Sequence, residues 1–574
     1  MAQAATTMTD DIHQEEIRQG ENTDGGRKGI STMKYIVGVE AFEKAATVES
    51  TASLNLYLIM AFYMKTTTAN ALLSVFNSTC NVAVLAGALL GDAYFGHFSV
   101  VACSCVFSFL GLVLLGLTSI PALHPNCPQD LDHASCQATT AGQSLFLLLC
   151  FGLLVIGSGG IRSCTVAFGA DQLDSETESE RKAVSNFHKR YKFTVKAVVM
   201  VSGTVFGWAQ TAKSWFFGLL APVLLLLCSI LIFLWVDTKA SFSSPSLEEV
   251  LCPAWCKYSL LLSERGDWSF QQQQSTDHLF DFFPAGLDIN SKLPRTTQFR
   301  FLDKAAIATP HDELNQDGSP KEPWSLCSIQ QVEEVKILLR LLPVWATFVP
   351  FQLAISQLRS YVAIQALQSD TKLLGSNFEI PAPFHDVFFK LAAAIWIPIY
   401  AKLLVPAAQR ITRKEGGITV LQRVGTGLFL GVVSLVVAGL IEEKRKRMDS
   451  SMGSLWLIPQ IAVAGVANKM ALVGLVIFSE QEFPERMKVV AWWAPLFLAR
   501  GLGYSFAGLL VSGVHKGGGD WLPDDLNQGK LDYYFYLIAG LLLMNFGCFI
   551  YCAGKYKYRC QVEVKQEGAT DVAE

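Results

Sequence analysis

Several ionisable side chains of this 574-residue chain sit inside or beside strongly apolar stretches, and they define the chemistry on offer. The first group is Glu40-Ala41-Phe42-Glu43-Lys44. Glu40 and Glu43 are three residues apart and Lys44 is four from Glu40, so on a helix all three meet on one face. At the centre of a membrane helix each such group costs roughly 2.5–3.5 kcal/mol. A carboxylate held there, tuned by burial and by a neighbouring lysine, can load and release a proton. The alternative is a self-neutralised cluster near the interface. The second group is Arg162, just after Ser158-Gly159-Gly160. Glycines let helices approach closely, which would leave the guanidinium facing a cavity. Arginine keeps its charge and grips planar oxyanions through two parallel hydrogen bonds; its other use is a structural ion pair. Elsewhere Trp345, Gln352 and Arg359 recur every seven residues on one helical face, and His188, Lys192 and Lys196 every four. His188 to Lys192 fits a basic anchor at a helix end. Lys196, Arg359 and Lys469 lie deeper than snorkelling explains, and with Lys390 and Arg500 they suggest a cationic chamber suited to an anion.

The elements that must position these residues follow from composition. Hydrophobic residues make up 51% of the chain, charged residues only 17%, and the mean hydropathy is +0.32. A soluble chain would carry roughly 25% charge. Here the apolar residues come in blocks of about 20, the length that crosses a bilayer as a helix. Spans are expected near 35–64, 70–95, 97–120, 142–170, 186–211 and 214–236, then near 334–366, 383–405, 417–441, 454–479, 487–513 and 531–553. The fold class is therefore an all-α polytopic membrane protein with twelve transmembrane helices. Six spans, a long loop and six spans match the major facilitator fold, two six-helix halves around a central site, which is how many secondary transporters are built. The expected divisions are a disordered cytosolic N-terminus (1–33), an N-terminal bundle (34–236), a cytosolic central loop (237–332), a C-terminal bundle (333–555) and a cytosolic tail (556–574). Gln330 to Lys336 reads as an amphipathic approach to span 7.

Residues 1–33 lack the basic start and apolar core of a signal peptide. Placing both termini in the cytosol puts Lys402, Arg410, Arg413 and Lys414 inside, together with Arg181 and Lys182, as the positive-inside rule asks. One loop dissents, because Lys444 to Arg447 would then lie outside. Most of the 14 cysteines fall in apolar blocks; Cys127 and Cys136 share a polar loop and are either a disulfide or two free thiols. A net charge of −4 gives no case for nucleic acid. Nucleotide, zinc-protease and nucleophile-elbow motifs are missing, so no enzyme activity, metal or organic cofactor is expected.

Glu40-x-x-Glu43-Lys44 resembles the signature of proton-dependent oligopeptide transporters. Gly157 to Cys164, Ala167-Phe168-Gly169-Ala170-Asp171-Gln172, Phe299 to Ile307, Pro343-Val344-Trp345, Ala366 to Asp370, Trp456 to Gln460, Trp521 to Asn527 and Lys530 to Tyr534 resemble, in order, plant members of the nitrate/peptide transporter family. The likeness runs from about Lys34 to Tyr556 and is nearest the branch that carries nitrate and glucosinolate-like glycosides. It implies proton symport by alternating access, with Glu40 and Glu43 binding the proton and Lys44 setting their affinity. It further implies that Arg162 faces an acidic residue of span 10. At that position this chain has Asn468, followed by Lys469, so Glu43 or Glu480 must stand in if protons are coupled. Gly91-Asp92-Ala93-Tyr94-Phe95-Gly96-His97 resembles the major facilitator loop motif, which makes Asp92 and Gly96 conformational residues.

The expected function is transport of a small solute, whether nitrate, a glucoside-type metabolite, a peptide or an acidic hormone. The partners are that solute, protons and the lipid of the plasma or vacuolar membrane. Substrate contacts are expected from Arg162, Lys196, Trp345, Gln352, Arg359, Asn468 and Lys469. The alternatives are a proton-uncoupled facilitator or exporter, suggested by Asn468, and a non-transporting membrane sensor.

Overall fold

The structure is a computed structural model that describes mainly residues 37–47, 54–120, 140–171, 215–237, 293–296, 298–308, 326–372, 380–413, 417–448, 452–484, 488–516 and 521–556, with short pieces such as 197–202, 280–281 and 558. Described helix occurs in each of the twelve expected spans. Helix α1 is seen in two pieces, 37–47 and 54–60, and α5 at 197–202. The other N-terminal helices are α2 (Thr66–Leu90), α3 (Gly96–Leu117), α4 (Ala141–Asp171) and α6 (Trp215–Asp237). The C-terminal set comprises α7 (Ile329–Leu367), α8 (Ala382–Thr412), α9 (Val420–Met448), α10 (Ser454–Glu482), α11 (Lys488–Lys516) and α12 (Leu531–Lys555). Among the described residues, nine helices are long and apolar enough to cross a membrane.

Close approach of α4 to its neighbours organises the N-terminal half. Gly157 and Gly160 turn toward Ser108 and Ser104 of α3, while Gly159 turns toward α2. A Cβ on Gly159 would lie 2.8 Å from the Ala83 carbonyl oxygen, and one on Gly87 of α2 would lie 2.5 Å from the Gly159 carbonyl oxygen. These helices therefore meet backbone to backbone, the contact that small residues permit in membranes. Helix α6 is tied to α1 where the Ser229 hydroxyl donates to the Val39 carbonyl at 2.7 Å. Between α2 and α3 the chain makes a π-helical segment, Gly91–Phe95, and turns at Gly96, whose φ of +74° suits glycine.

The C-terminal half is held by buried polar bonds as well as by apolar packing. Helix α7 breaks at Thr347, and Asn545 of α12 donates to the Thr347 carbonyl at 2.8 Å, so the break leaves no orphan there. Helix α9 extends to Met448, well past the expected end of its span. The last turns hold Glu442 and Arg445, both fully buried, joined by two hydrogen bonds of 2.8 Å. Glu442 also accepts from Gln365 of α7 at 2.6 Å, Gln365 accepts from Gln460 of α10 at 2.9 Å, and Arg445 donates to Asn527 at 2.8 Å. Lys446 bonds Asp532, and Lys444 lies 3.4 Å from the centre of the Trp456 ring. The four cations that dissented from the positive-inside rule are thus committed to partners, Arg447 reaching Glu443 at 3.5 Å.

The polar side of the approach to span 7 is buried too. A capping box of Ser328 and Gln331 starts α7. Lys336, with no exposed surface, reaches Asp303 at 2.6 Å and Glu333 at 2.7 Å, and Arg295 adds a bond to Asp303 at 3.0 Å. Gln330 both accepts from the Leu293 amide and donates to its carbonyl. The described part of the central loop, around 293–308, is consequently a strap packed on the start of α7.

Removing one member of a buried ion pair costs about 3–5 kcal/mol, whereas replacing both is close to neutral. Glu442→Gln is expected to lower the thermal unfolding midpoint of the detergent-purified protein markedly, and Glu442→Gln with Arg445→Met to recover most of that loss. Equal midpoints for the single and double variants would refute the coupling.

Candidate functional site

The two halves bring their charged residues toward a shared centre. On α1, Glu40 and Glu43 are buried, Lys44 is bonded to Glu40, and Thr47 donates to Glu43 at 2.9 Å. Arg162 of α4 is half-buried and within charge range of Glu43. The expected face of Glu40, Glu43 and Lys44 is therefore real, and Arg162 joins it across the α1–α4 gap.

The facing half contributes a cluster of its own. Arg359 of α7 is in an otherwise buried stretch, yet its side chain is 33% exposed. Its Nη2 and Nε both donate to Oδ1 of Asp386 on α8, at 2.6 and 2.7 Å. Lys390, one turn along α8, is 3.4 Å from Asp386 Oδ2, and the Arg359 guanidinium stacks 4.8 Å from the centre of the Phe389 ring. Arg500 of α11 is half-buried and within charge range of both Arg162 and Arg359, with Tyr504 one turn away. Three arginines from α4, α7 and α11 thus share one electrostatic field spanning both halves.

The remaining expected residues are placed as follows. Asn468 and Lys469 of α10 are half-buried, and the Asn468 Oδ1 is enclosed without a hydrogen-bond partner. Helix α10 lies close against α8, since a Cβ on Gly465 would run into the Phe389 carbonyl. Trp345 is 4% exposed; its indole donates to Ser479 of α10 at 3.1 Å and its ring stacks on Phe483. Gln352 is buried against α11, where a Cβ on Gly503 would sit 2.7 Å from its Cβ. Along the seven-residue face of α7, Arg359 joins the central charges, Trp345 bonds α10, and the Gln352 Cβ packs at Gly503, one turn from Arg500 on α11. Lys196, Cys127 and Cys136 fall outside the described residues, as does the side chain of Asp92.

Asp386 was not singled out by sequence reading. Its signal was there, an acid four residues before Lys390 in the first turn of span 8. What no spacing could give is that α7 would present Arg359 to it.

The halves touch along α2 and α11. Ser78 and Ser505 share a hydrogen bond of 2.6 Å, and a Cβ on Gly501 or Gly508 would meet Val82 or Ser74 at 3.2 or 3.3 Å. At the end where α2 begins, the Thr66 amide donates to Asp524 Oδ1 at 2.6 Å. Gln368 at the end of α7 steadies that loop through the Asp524 carbonyl and the Leu526 amide. Among the described residues, the polar contacts at this end include the Thr66–Asp524 bond and the two Gln368 bonds.

Comparison with known proteins places this geometry. The sequence model described as "POT family" (PTR2) matches residues 98–520. Protein NRT1/PTR FAMILY 2.11 of Arabidopsis thaliana is 37% identical over 93% of this chain and 89% of its own length. Protein NRT1/PTR FAMILY 2.9 of the same plant is 38% identical over 93% of each. Among solved structures, the POT family transporter PepTSo superposes with a TM-score of 0.67 at 16% identity, covering 92% of this chain and 98% of that one.

A net hydrogen bond is worth about 0.5–1.5 kcal/mol, more with a charged acceptor. Asp524→Ala, which removes the bond to the Thr66 amide, is expected to raise several-fold the rate at which a cysteine introduced at Ser78 reacts with an impermeant thiol reagent added on the α2 start side. An unchanged rate would mean that other contacts close this end.

Proposed function

Since the chain belongs to the POT family and is a multi-pass solute transporter, not an enzyme, we propose that it moves a small anionic solute with protons by alternating access. The observation that carries this reading is the shared field of Arg162, Arg359 and Arg500 beside the Glu40, Glu43 and Lys44 face. Guanidinium groups are weakly hydrated and bind carboxylate, sulfate or nitrate oxygens in pairs. A neutral solute would leave this positive field without a counter-charge, so nitrate, acidic hormones and acidic or sulfated glycosides fit better than neutral peptides.

Glu43 is the proton-binding group on the N-terminal side. It is buried, it lies within range of Arg162, and Thr47 leaves its second oxygen without a hydrogen-bond partner. Protonating it removes one negative charge facing Arg162 and strengthens that arginine's hold on an anion. Symport follows if the solute and the proton favour the same loaded state.

An uncoupled facilitator is the second reading, and Asn468 is the observation that favours it. A carboxylate there would have paired with the cationic centre, whereas the amide cannot titrate.

Flux in oocytes decides between them, using a panel of labelled anions and neutral glycosides at acidic and neutral external pH, with and without a proton uncoupler. The expected result is saturable anion uptake that rises at acidic pH, collapses with the uncoupler and loses its acid stimulation in Glu43→Gln. Arg162→Gln is expected to raise KM roughly ten- to a hundredfold, the equivalent of about 1.5–3 kcal/mol in charged hydrogen bonds. Saturable uptake indifferent to pH and uncoupler would establish the facilitator instead.

A further inference from the structure

We propose that Asp386 is the carboxylate through which proton and anion binding are linked in the C-terminal half, holding Arg359 when the site is empty and surrendering it when protonated. The inference rests on the anionic-solute reading above and assigns the coupling group that Asn468 cannot be.

The geometry of the pair is lopsided. Both guanidinium nitrogens of Arg359 converge on Oδ1 of Asp386, at 2.6 and 2.7 Å. Oδ2 is enclosed and is held by a longer ion pair, with Lys390 at 3.4 Å. A carboxylate balanced by two cations is stable while ionised. Oδ2, whose contact with Lys390 is the longer and weaker one, is where a proton can be added while both Arg359 bonds to Oδ1 are still in place. Once protonated, Asp386 loses its charge and with it most of its attraction for Arg359. Arg359, 33% exposed, can then turn its paired donors to the anionic group of a solute. The carboxylate acts as an internal stand-in for the substrate, occupying the same donors with the same chemistry.

The surrounding charges favour this exchange. On α8 itself His385 is next in sequence, its ring fixed between the Ala382 and Ser454 carbonyls at 3.2 and 3.1 Å. Helix α7 offers Arg359, and α11 supplies Arg500, within charge range of Arg359. On α10 the ionisable residues are Lys469, near the contact with α8, and Glu480 and Glu482, which lie roughly 20 Å further along at 1.5 Å per residue. Setting aside the Lys44–Glu40 pair, the centre therefore holds Arg162, Arg359, Lys390 and Arg500, with Lys469 nearby, against two carboxylates, Glu43 and Asp386. An anion entering this field takes over the compensation that Asp386 provided, so anion binding and protonation of Asp386 favour each other by the same factor.

Asp386 also sits in the first turn of α8, where any acid complements the helix dipole. That structural role predicts a change in stability but none in the pH dependence of anion binding, and this difference is the basis of the test. Purified full-length protein in detergent is titrated with sodium sulfate and with sodium nitrate at acidic and neutral pH, and binding is read from the rise in thermal unfolding midpoint. Wild type is expected to bind at least about fivefold more tightly at acidic pH, the lower end of typical coupling factors. Asp386→Asn should bind several-fold more tightly than wild type at neutral pH and keep only the smaller pH ratio that Glu43 supplies, and Asp386→Glu should restore the wild-type ratio. Asp386→Asn that keeps the wild-type ratio would overturn the assignment while leaving the anionic reading intact. If wild type binds neither anion yet transports a neutral glycoside, the anionic reading fails and takes the inference with it. Should Asp386→Asn not fold, Arg359→Gln decides, because a pH ratio undiminished by loss of that arginine also overturns the proposal.

Discussion

A charge buried where water cannot follow must be compensated by the protein itself, and this chain meets the demand in two distinct ways. Some groups are held by more partners than their charge requires. Arg445 has both oxygens of Glu442 and an asparagine, and Lys336 has two carboxylates and a backbone carbonyl. Such clusters have one low-energy arrangement and fix helices to one another. At the centre the balance is thinner. Asp386 divides its two oxygens unequally, Asn468 has an enclosed acceptor without a donor, and Arg500 feels two other arginines. Over-compensated charges build the scaffold, and the under-compensated ones are left responsive to a solute or a proton.

Hydropathy made the architecture legible because a helix that crosses lipid must satisfy its own backbone and present apolar side chains. Helix is described in all twelve expected spans, and the resemblance identified the family from ordered motifs. Boundaries were less legible. Hydropathy placed Lys444 to Arg447 in a loop, past the apolar block that ends near 441. In the structure Glu442, Asp532, Trp456 and Glu443 take them up, and only Glu442 and Glu443 were nearby in sequence. A count of basic residues by loop cannot distinguish cations exposed to lipid headgroups from cations already spent on partners.

The site was legible one helix at a time. Periodicity correctly put Glu40, Glu43 and Lys44 on one face, because the partners share a helix and four residues fix their spacing. It also put Trp345, Gln352 and Arg359 on one face, but a helix this enclosed has neighbours all around it, and a common stripe does not mean a common cavity. Trp345 meets Ser479, Gln352 meets Gly503 and Arg359 meets Asp386, three different helices along one stripe. Contacts of that kind depend on which helices adjoin, which is a property of the folded chain.

Among the described residues, the polar bonds between α2 and the C-terminal half include a serine pair midway along α2 and, at its start, one amide-to-carboxylate bond. Bonds of this size contribute about 0.5–1.5 kcal/mol each, small beside the clusters that hold each half together. They add little to the cost of parting α2 from α11, whose helix packing must part as well. A solute carrier of this kind would take its direction from outside itself. Whether it fills or empties a compartment is decided by the solute and ion gradients across the membrane that houses it, so the same polypeptide would serve uptake in one cell and release in another.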